Sequence, residues 1–245
     1  MTALSAGLQP AATLPLLAAL LAFAGWLTVR LWRRGPPTVR SRFAIALGAA
    51  ALFAVLATMP PAIVGWDLRL ADGLHAQASP GLLDAAFAIT QFGNFRTLLA
   101  LVIAVALLLA LLRQWSDLGL WLVVTAGTGL LNRALKLGFE RVRPLHDHGL
   151  VIEPAYSFPS GHASGALAVY GLLTVLLLPR LAAAARLPLL LATVALVLLI
   201  GASRVILQVH FLSDVVAGHA LAAAVLASAH ALREQLQARY GRTPG

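Results

Sequence analysis

Long apolar runs, separated by short polar connections, dominate the chain. A helix needs about 20 mostly apolar residues to cross a hydrocarbon core about 30 Å thick. Seven segments approach that length: Leu14 to Leu31, Phe43 to Val64, Phe95 to Leu112, Leu118 to Leu137, Ala163 to Leu178, Leu187 to Ala202 and Val215 to Leu232. The pattern predicts an all-α, polytopic bundle of transmembrane helices.

Two of the connecting stretches have a pattern of their own. The Arg-, Gly- and Pro-containing stretch Arg33 to Arg42 predicts a linker that separates the first span from the rest. Between Ser79 and Asn94, apolar residues recur at helical spacing; they are Leu82, Leu83, Ala86, Ile89 and Phe92. This second stretch fits either a short helix lying in the outer membrane interface or an ordinary loop.

Basic residues collect in alternate connections, which predicts the orientation. Short cytoplasmic loops are enriched in Arg and Lys. The basic residues concerned are Arg30, Arg33, Arg34, Arg40, Arg42, Arg113, Arg180, Arg186, Arg233, Arg239 and Arg242. We therefore expect the N-terminus outside and the C-terminus in the cytoplasm. The connections 65–94, 138–161 and 203–214 would then lie on the outer face.

Composition narrows the possible classes of function. The chain is 60% hydrophobic and 11% charged, with a formal net charge of +9. Its basic residues form no stripe with interleaved aromatic residues, so we expect no nucleic-acid partner. The absence of cysteine excludes disulfides, thiolate metal sites and cysteine nucleophiles. The only lysine is Lys136, which draws attention to the residues around it.

Three clusters of polar residues fall on the predicted outer face. The first runs from Lys136 to Arg143 and Pro144, the second from Phe158 to Gly165, and the third from Ser203 to Asp214. Ionisable groups at membrane depth cost about 2.5–3.5 kcal/mol each on insertion scales, so they are normally paired or functional.

The charges of these clusters favour an anionic ligand. Lys136, Arg143 and Arg204 are cations, and Asp214 is the obvious local counter-charge. An arginine fork suits phosphate oxygens, and lysine supplies a point charge. Bound phosphate would complete the charge balance.

The second cluster predicts a helix start that can receive this anion. Pro159, Ser160 and Gly161 precede a long apolar run, with Ser160 as the cap. Backbone N–H groups at a helix start bind phosphate, and glycine allows close approach. His162 would lie beside the anion, where an imidazole can donate a proton to a leaving oxygen.

The third cluster contains a His–Asp pair. His210 and Asp214 are four residues apart, which predicts that both lie on one face of a helix. A carboxylate that holds one ring nitrogen fixes the tautomer and leaves the other nitrogen as a nucleophile. The two histidines thus suggest a division into nucleophile and acid.

In this order the clusters read K-x-x-x-x-x-x-R-P, P-S-G-H and S-R-x-x-x-x-x-H-x-x-x-D, and they resemble the three-part signature of the type 2 phosphatidic acid phosphatase superfamily. That superfamily also includes vanadium haloperoxidases and glucose-6-phosphatase. The resemblance implies a six-span phosphatase core over residues 43–232. Residues 1–42 would add one N-terminal span with its cytoplasmic linker, and residues 233–245 would form a cytoplasmic tail.

Carried over position by position, the resemblance implies that His210 attacks phosphorus, Asp214 orients it and His162 protonates the leaving group. The other motif residues would hold the phosphoryl oxygens; they are Lys136, Arg143, Ser160, Gly161 and Arg204. The family needs no metal for this reaction, and we expect no cofactor.

Several other polar residues have two interpretations. Glu140 and Arg141 either support the site or meet lipid headgroups. His219 and His230 fit ordinary packing positions inside the bundle. The run His146-Asp147-His148 contains possible metal ligands, but that spacing is more typical of a solvated loop.

The resemblance implies a membrane enzyme that hydrolyses a lipid phosphate or diphosphate, of the undecaprenyl diphosphate, phosphatidylglycerol phosphate or phosphatidate type. The bias towards Ala, Leu and Arg suggests a bacterial cytoplasmic membrane, with the site on its periplasmic or extracellular side. One alternative is a lipid phosphotransferase, in which His210 passes the phosphoryl group to another lipid. The other is a transporter, which predicts polar residues along both halves of the bundle.

Overall fold

The computed structural model describes residues 37–144, 151 and 156–240, and the regular structure within them is entirely helical. The predicted all-α class is confirmed. The helices are α1 Pro37–Ala57, α2 Pro61–Gln77, α3 Pro80–Thr90, α4 Phe95–Leu111, α5 Trp115–Phe139, α6 Gly161–Arg180, α7 Ala183–Ile206 and α8 Leu212–Tyr240. Within α6, Leu167–Gly171 forms a π-helical turn.

Six segments of the described chain are long and apolar enough to cross a membrane. They are Thr38–Ala57, Pro80–Leu111, Trp115–Phe139, Gly161–Arg180, Ala183–Ile206 and Leu212–Gln237. The second of these joins α3 and α4 through a short 3-10 turn, Gln91–Gly93. The predicted first span, Leu14 to Leu31, lies outside the described residues.

The predicted span Phe43 to Val64 is wrong at its C-terminal end. Helix α1 stops at Ala57, and Met59 has a positive φ of 47°. Pro60 and Pro61 explain the break, because a proline disfavours helical geometry at the residue before it. The same prolines suit the beginning of a new helix, where a missing N–H costs nothing.

The connection predicted for residues 65–94 consists largely of two helices, α2 and α3. Helix α3 confirms the helical alternative for the stretch Ser79 to Asn94, and the Ser79 hydroxyl caps it by accepting from the Leu82 N–H. Helix α2 was not predicted. It buries Asp67 and Ala71 on one side, and Leu70 and Leu74 pack there against residues of α6, α7 and α8.

The two ends of the predicted core also differ from expectation. Helix α1 begins at Pro37, so the second half of the predicted linker is helical. Helix α8 continues to Tyr240, so residues 233–240 of the predicted tail belong to the last helix. Helix α8 packs along α1, where Val39 and Phe43 are buried with Ala231.

The interior between the two ends of the bundle is apolar. Trp121, Val124, Leu172 and Ala222 are fully buried in a cluster contributed by α4, α5, α6 and α8. The indole N–H of Trp121 donates to the Val102 carbonyl at 3.0 Å. Large apolar side chains such as Ile103 and Leu107 are exposed on the outside. An apolar exterior around an apolar interior is what a lipid-exposed bundle requires.

A cluster of ion pairs lies at the end of the bundle opposite the third cluster, Ser203 to Asp214. Asp117, at the start of α5, pairs with Arg180 at 2.8 Å and with Arg233 at 2.5 Å. Near the same end, Arg42 of α1 pairs with Glu234 of α8. These contacts bring together the alternate connections in which the arginines collect.

Gly218 fixes how closely α8 approaches the start of α6. A Cβ at Gly218 would lie 2.6 Å from the Ser160 carbonyl oxygen and 3.2 Å from Ala163 Cβ. The Ser160 carbonyl is a backbone group, so it cannot move away from an added methyl group as easily as the end of a flexible side chain can. We expect Gly218→Ala to reduce the free energy of unfolding by about 1–3 kcal/mol through overpacking, measured as a lower thermal midpoint in detergent.

The control is Gly129→Ala on α5, where an added Cβ meets nothing within 4 Å. Alanine favours a helix over glycine, so this variant should keep or slightly raise the midpoint. Equal midpoints for the two variants would show that the α6–α8 contact tolerates the methyl group.

Candidate active site

The three polar clusters meet at one end of the bundle. Lys136 lies in the last turn of α5, Ser160 caps the start of α6, and the third cluster joins α7 to α8. The Ser160 N–H donates to the Asp214 carbonyl at 2.9 Å, which ties the second cluster to the third. Asn132 of α5 donates to the Pro159 carbonyl at 3.3 Å and so holds the second cluster against α5.

The predicted contact between His210 and Asp214 is present, but not on one helix face. His210 Nδ1 lies 3.4 Å from Asp214 Oδ2, and both side chains are buried. His210 belongs to the turn before α8, which begins at Leu212. The two side chains therefore meet across a helix start, where Asp214 Oδ2 also accepts the Phe211 N–H at 2.8 Å.

The second ring nitrogen of His210 faces a cation. Arg143 Nη1 lies 3.3 Å from His210 Nε2, and Arg143 also donates to the carbonyls of Val209 and Tyr156. A nitrogen oriented by a carboxylate on the far side of the ring and placed beside a guanidinium is suited to attack an anionic group held by that guanidinium.

His162 lies in the first turn of α6, close to all three clusters. The charged or titratable groups within electrostatic range of His162 are Arg204, His210, Arg143 and Lys136. The two histidines and the three cations therefore lie at the same end of the bundle.

The other cations are anchored by the chain around them. Lys136 Nζ donates to the carbonyls of Tyr156 and Ser157. Arg204 is 1% exposed, and its Nη1 donates to the Thr90 hydroxyl at 2.7 Å. Donors that are already fixed in place stabilise an anion more strongly than mobile donors at a surface.

The start of α6 has the geometry predicted for an anion site. The buried Ser160 hydroxyl accepts the Ala163 N–H at 3.4 Å, as an N-cap does. Backbone N–H groups of the first helical turn have no partner within the helix, and the helix end carries partial positive charge. Gly161 and His162 occupy this first turn.

Burial keeps His210 neutral. Desolvation lowers the pKa of His210 to about 3, although the hydrogen bond and charge of Asp214 act in the opposite direction. Arg143 and Arg204 lower it further. At neutral pH the imidazole is therefore in its uncharged, nucleophilic form.

The sequence did not identify most of the residues that hydrogen-bond to the predicted site residues and fix their positions. Arg141, for which the sequence allows two interpretations, binds Asp214 directly at 2.5 Å. Ser157 donates to Asp214 and lies 3.4 Å from His210 Nδ1. Asp67 and Thr90 reach the site from α2 and α3. Only Arg141 had a local signal, since it lies inside the first cluster.

The remaining polar candidates lie elsewhere. His219 packs beside Gly201 in the bundle, as predicted for an ordinary packing residue. The run His146-Asp147-His148 lies outside the described residues. Among residues 37–144, 151 and 156–240, no three His, Asp or Glu side chains are grouped as ligands of a metal ion would be.

Comparisons with known proteins found a matching family, a similar protein and a similar solved structure. Residues 117–237 match the model of the PAP2 superfamily. Phosphatidylglycerophosphatase B of Bacillus subtilis (strain 168) is 35% identical over 147 residues, which is 58% of this chain and 70% of that protein. The chain is also similar to the crystal structure of "the first transmembrane PAP2 type phosphatidylglycerolphosphate phosphatase from Bacillus subtilis". The TM-score is 0.71 at 28% identity, over 82% of this chain and 99% of that chain.

Gly93, at the turn between α3 and α4, offers a test of how tightly the site is packed. A Cβ there would lie 2.5 Å from Ile200 Cγ2 and 3.0 Å from His162 Cδ2. We expect Gly93→Ala to displace His162 and to weaken the binding of orthovanadate, a phosphate-like oxyanion. If the full overpacking cost of about 1–3 kcal/mol opposes binding, the affinity falls about 5- to 150-fold, measurable by calorimetry in detergent.

Gly81→Ala on α3 is the matched control, because an added Cβ there meets nothing within 4 Å. Its orthovanadate affinity should equal that of the unmodified chain. An unchanged affinity in Gly93→Ala would mean that the turn does not limit the position of His162.

Proposed function

Because this chain belongs to the PAP2 superfamily, we propose that it is a membrane phosphatase that hydrolyses a lipid phosphate or diphosphate through a phosphohistidine intermediate. The observation that carries the proposal is the environment of the His210 ring. Asp214 lies 3.4 Å from one ring nitrogen and Arg143 lies 3.3 Å from the other.

In the proposed reaction, the neutral Nε2 of His210 attacks phosphorus, and the bond from phosphorus to the lipid oxygen breaks. His162 donates a proton to that oxygen as it leaves. Water then attacks the phosphohistidine, His162 takes a proton from the water, and inorganic phosphate departs. Asp214 stabilises the positive charge that the His210 ring gains in the first step.

The remaining motif residues are proposed to hold the phosphoryl oxygens. Phosphoryl transfer depends mainly on positioning and on neutralising the charge of these oxygens. The groups that would do so are Lys136, Arg143, Arg204, Ser160 and Gly161. No step requires a metal, so the proposed enzyme is metal-independent.

The proposed substrate has its phosphate at the end of the bundle and its tail in the bilayer. Phosphatidylglycerol phosphate is the first candidate, since the names of both similar proteins refer to that lipid. Undecaprenyl diphosphate and phosphatidate follow. The arginines in alternate connections favour a site on the periplasmic or extracellular side. The apolar cluster around Trp121 and Leu172 disfavours a polar path through the bundle.

The first test measures phosphate release from detergent-solubilised protein with each of these three lipids. No acceptor lipid is added, and EDTA is present throughout. We expect release from at least one lipid and a loss of about a thousandfold or more in His210→Ala, because the nucleophile is absent. His162→Ala should lose about 100-fold or more, as expected for a general acid.

Three results would contradict parts of this proposal. Release that persists in His210→Ala would contradict the phosphohistidine. Release only after an acceptor lipid is added would indicate a phosphotransferase. Release only after Mg²⁺ replaces EDTA would contradict metal independence.

A second test uses pH, because the dependence of kcat/KM on pH reports protonation in the free enzyme. The pKa of His210 is lowered to about 3, so the nucleophilic form persists as the pH falls below the ordinary histidine value. We expect no loss of kcat/KM attributable to His210 between about pH 8 and about pH 5.

Phosphate esters gain a proton near pH 6, so the titration of the lipid itself is measured by phosphorus NMR and subtracted. A remaining acidic limb near pH 6.5 would contradict a neutral, buried His210.

A further inference from the structure

A second carboxylate lies behind the pair formed by His210 and Asp214. Asp67 of α2 is 4% exposed. Its Oδ1 accepts the Ser213 N–H at 3.0 Å, and its Oδ2 accepts the Ser213 hydroxyl. Asp67 therefore caps the start of α8 from a different helix, and it does so at Ser213, the residue next to Asp214 in sequence.

Arg141 joins the two carboxylates. Its Nη2 donates to Asp67 Oδ2 at 2.8 Å, and its Nη1 donates to Asp214 Oδ1 at 2.5 Å. The guanidinium also stacks 4.3 Å from the Phe211 ring centroid. The Arg141 carbonyl accepts the Ser157 N–H at 2.8 Å, and the Ser157 hydroxyl in turn donates to Asp214. Arg141 thus holds Asp214 through both its side chain and its backbone.

The charges of Asp67, Arg141 and Asp214 together determine the net charge beside the His210 imidazole. Two carboxylates share one guanidinium, so one negative charge remains in excess next to the imidazole. Without Asp67, Arg141 would neutralise Asp214 alone and the excess would disappear. In a buried site such a change is felt strongly, because the low dielectric screens it little.

We propose that Asp67 and Arg141 are positioning residues with different tasks: Arg141 orients the Asp214 carboxylate, and Asp67 prevents Arg141 from cancelling the negative charge that Asp214 presents to His210. Asp67 satisfies one half of the Arg141 fork, so that Arg141 can hold Asp214 without cancelling its charge. The inference rests on the proposed role of His210 as the nucleophile. The other charged or titratable groups that face His210 are Arg143, Arg204 and His162, and all of them stay unchanged in the variants below.

The test compares steady-state rates on phosphatidylglycerol phosphate, or on whichever lipid the release screen finds active. Asp67→Asn keeps the shape of the side chain and removes its charge. We expect kcat to fall about 10- to 100-fold, by analogy with the loss seen when a group that orients a metal-binding side chain is removed. KM should change by less than about threefold, because Asp67 contacts Arg141 and Ser213, and neither of these is among the groups proposed to hold the phosphoryl oxygens.

A double variant separates charge from structure. In Asp67→Asn with Arg141→Gln, the Asp214 charge is no longer cancelled. We expect this variant to have a higher kcat than Asp67→Asn alone. A purely structural role predicts the reverse, because the double variant lacks more contacts. A double variant no more active than the single one would overturn the proposal.

Asp72→Asn is the matched control, since Asp72 is an exposed carboxylate on the same helix. Its kcat and KM should equal those of the unmodified chain. Thermal midpoints establish that each variant is folded. If Asp67→Asn does not fold, Ser213→Ala removes the hydroxyl that donates to Asp67 and accepts from Arg141. That variant should lower kcat about three- to tenfold at constant KM, and an unchanged kcat would overturn the proposal.

Orthovanadate binding distinguishes failure of this inference from failure of the proposed function. Its vanadium accepts a nitrogen ligand much as phosphorus does in the proposed attack. Asp67→Asn should weaken orthovanadate binding about tenfold, and the double variant should recover part of the loss. If these changes in orthovanadate affinity are found but the chain hydrolyses none of the lipids, the proposed function is wrong and the inference about Asp67 stands. If the chain hydrolyses a lipid but Asp67→Asn changes neither kcat nor orthovanadate affinity, the proposed function stands and the inference about Asp67 is wrong.

Discussion

The Asp214 carboxylate lies at the start of α8 and has no exposed surface. An unpaired charge in such a place costs several kcal/mol, so the chain around it supplies partners from several directions. Arg141 and the Phe211 N–H bind opposite oxygens, and the Ser157 hydroxyl and the His210 ring complete the set. Stretches that are far apart in sequence meet here, and each of them supplies one hydrogen-bond or ion-pair partner for the buried Asp214 carboxylate.

The same arrangement separates polar chemistry from the hydrocarbon region. Charged side chains gather at two ends of the bundle, one around Asp214 and the other around Asp117. Between them lies the apolar cluster that contains Trp121 and Leu172. Helix ends are the natural place for an anion site in a bundle of this kind, because they expose unsatisfied N–H groups while the helix interior satisfies its own. A substrate with a phosphate head and an apolar tail matches this division.

Sequence and structure agree best where the signal is local. Helix-length apolar runs and an N-cap serine before Gly161 are properties of neighbouring residues, and both appear as predicted. Pro60 and Pro61 are a local signal for the break after Ala57, although the apolar run continues past them to Val64. Helix α2 was missed because its sequence mixes polar and apolar residues, and only packing against α6, α7 and α8 makes one side of it a buried face.

The sequence alone determined the helical class, through the length of its apolar runs. It also determined which residues form the three motifs and that these motifs gather at one end of the bundle, through their positions between the spans. Only the tertiary structure decided how the His210 ring is held. His210 lies in a turn outside α8, and its partner Asp214 is fixed by Arg141, which Asp67 fixes in turn. Asp67 and Ser213 are 146 positions apart, and Thr90 and Arg204 are 114 apart. Contacts at such separations depend on how the helices pack, and no local pattern of residues specifies them.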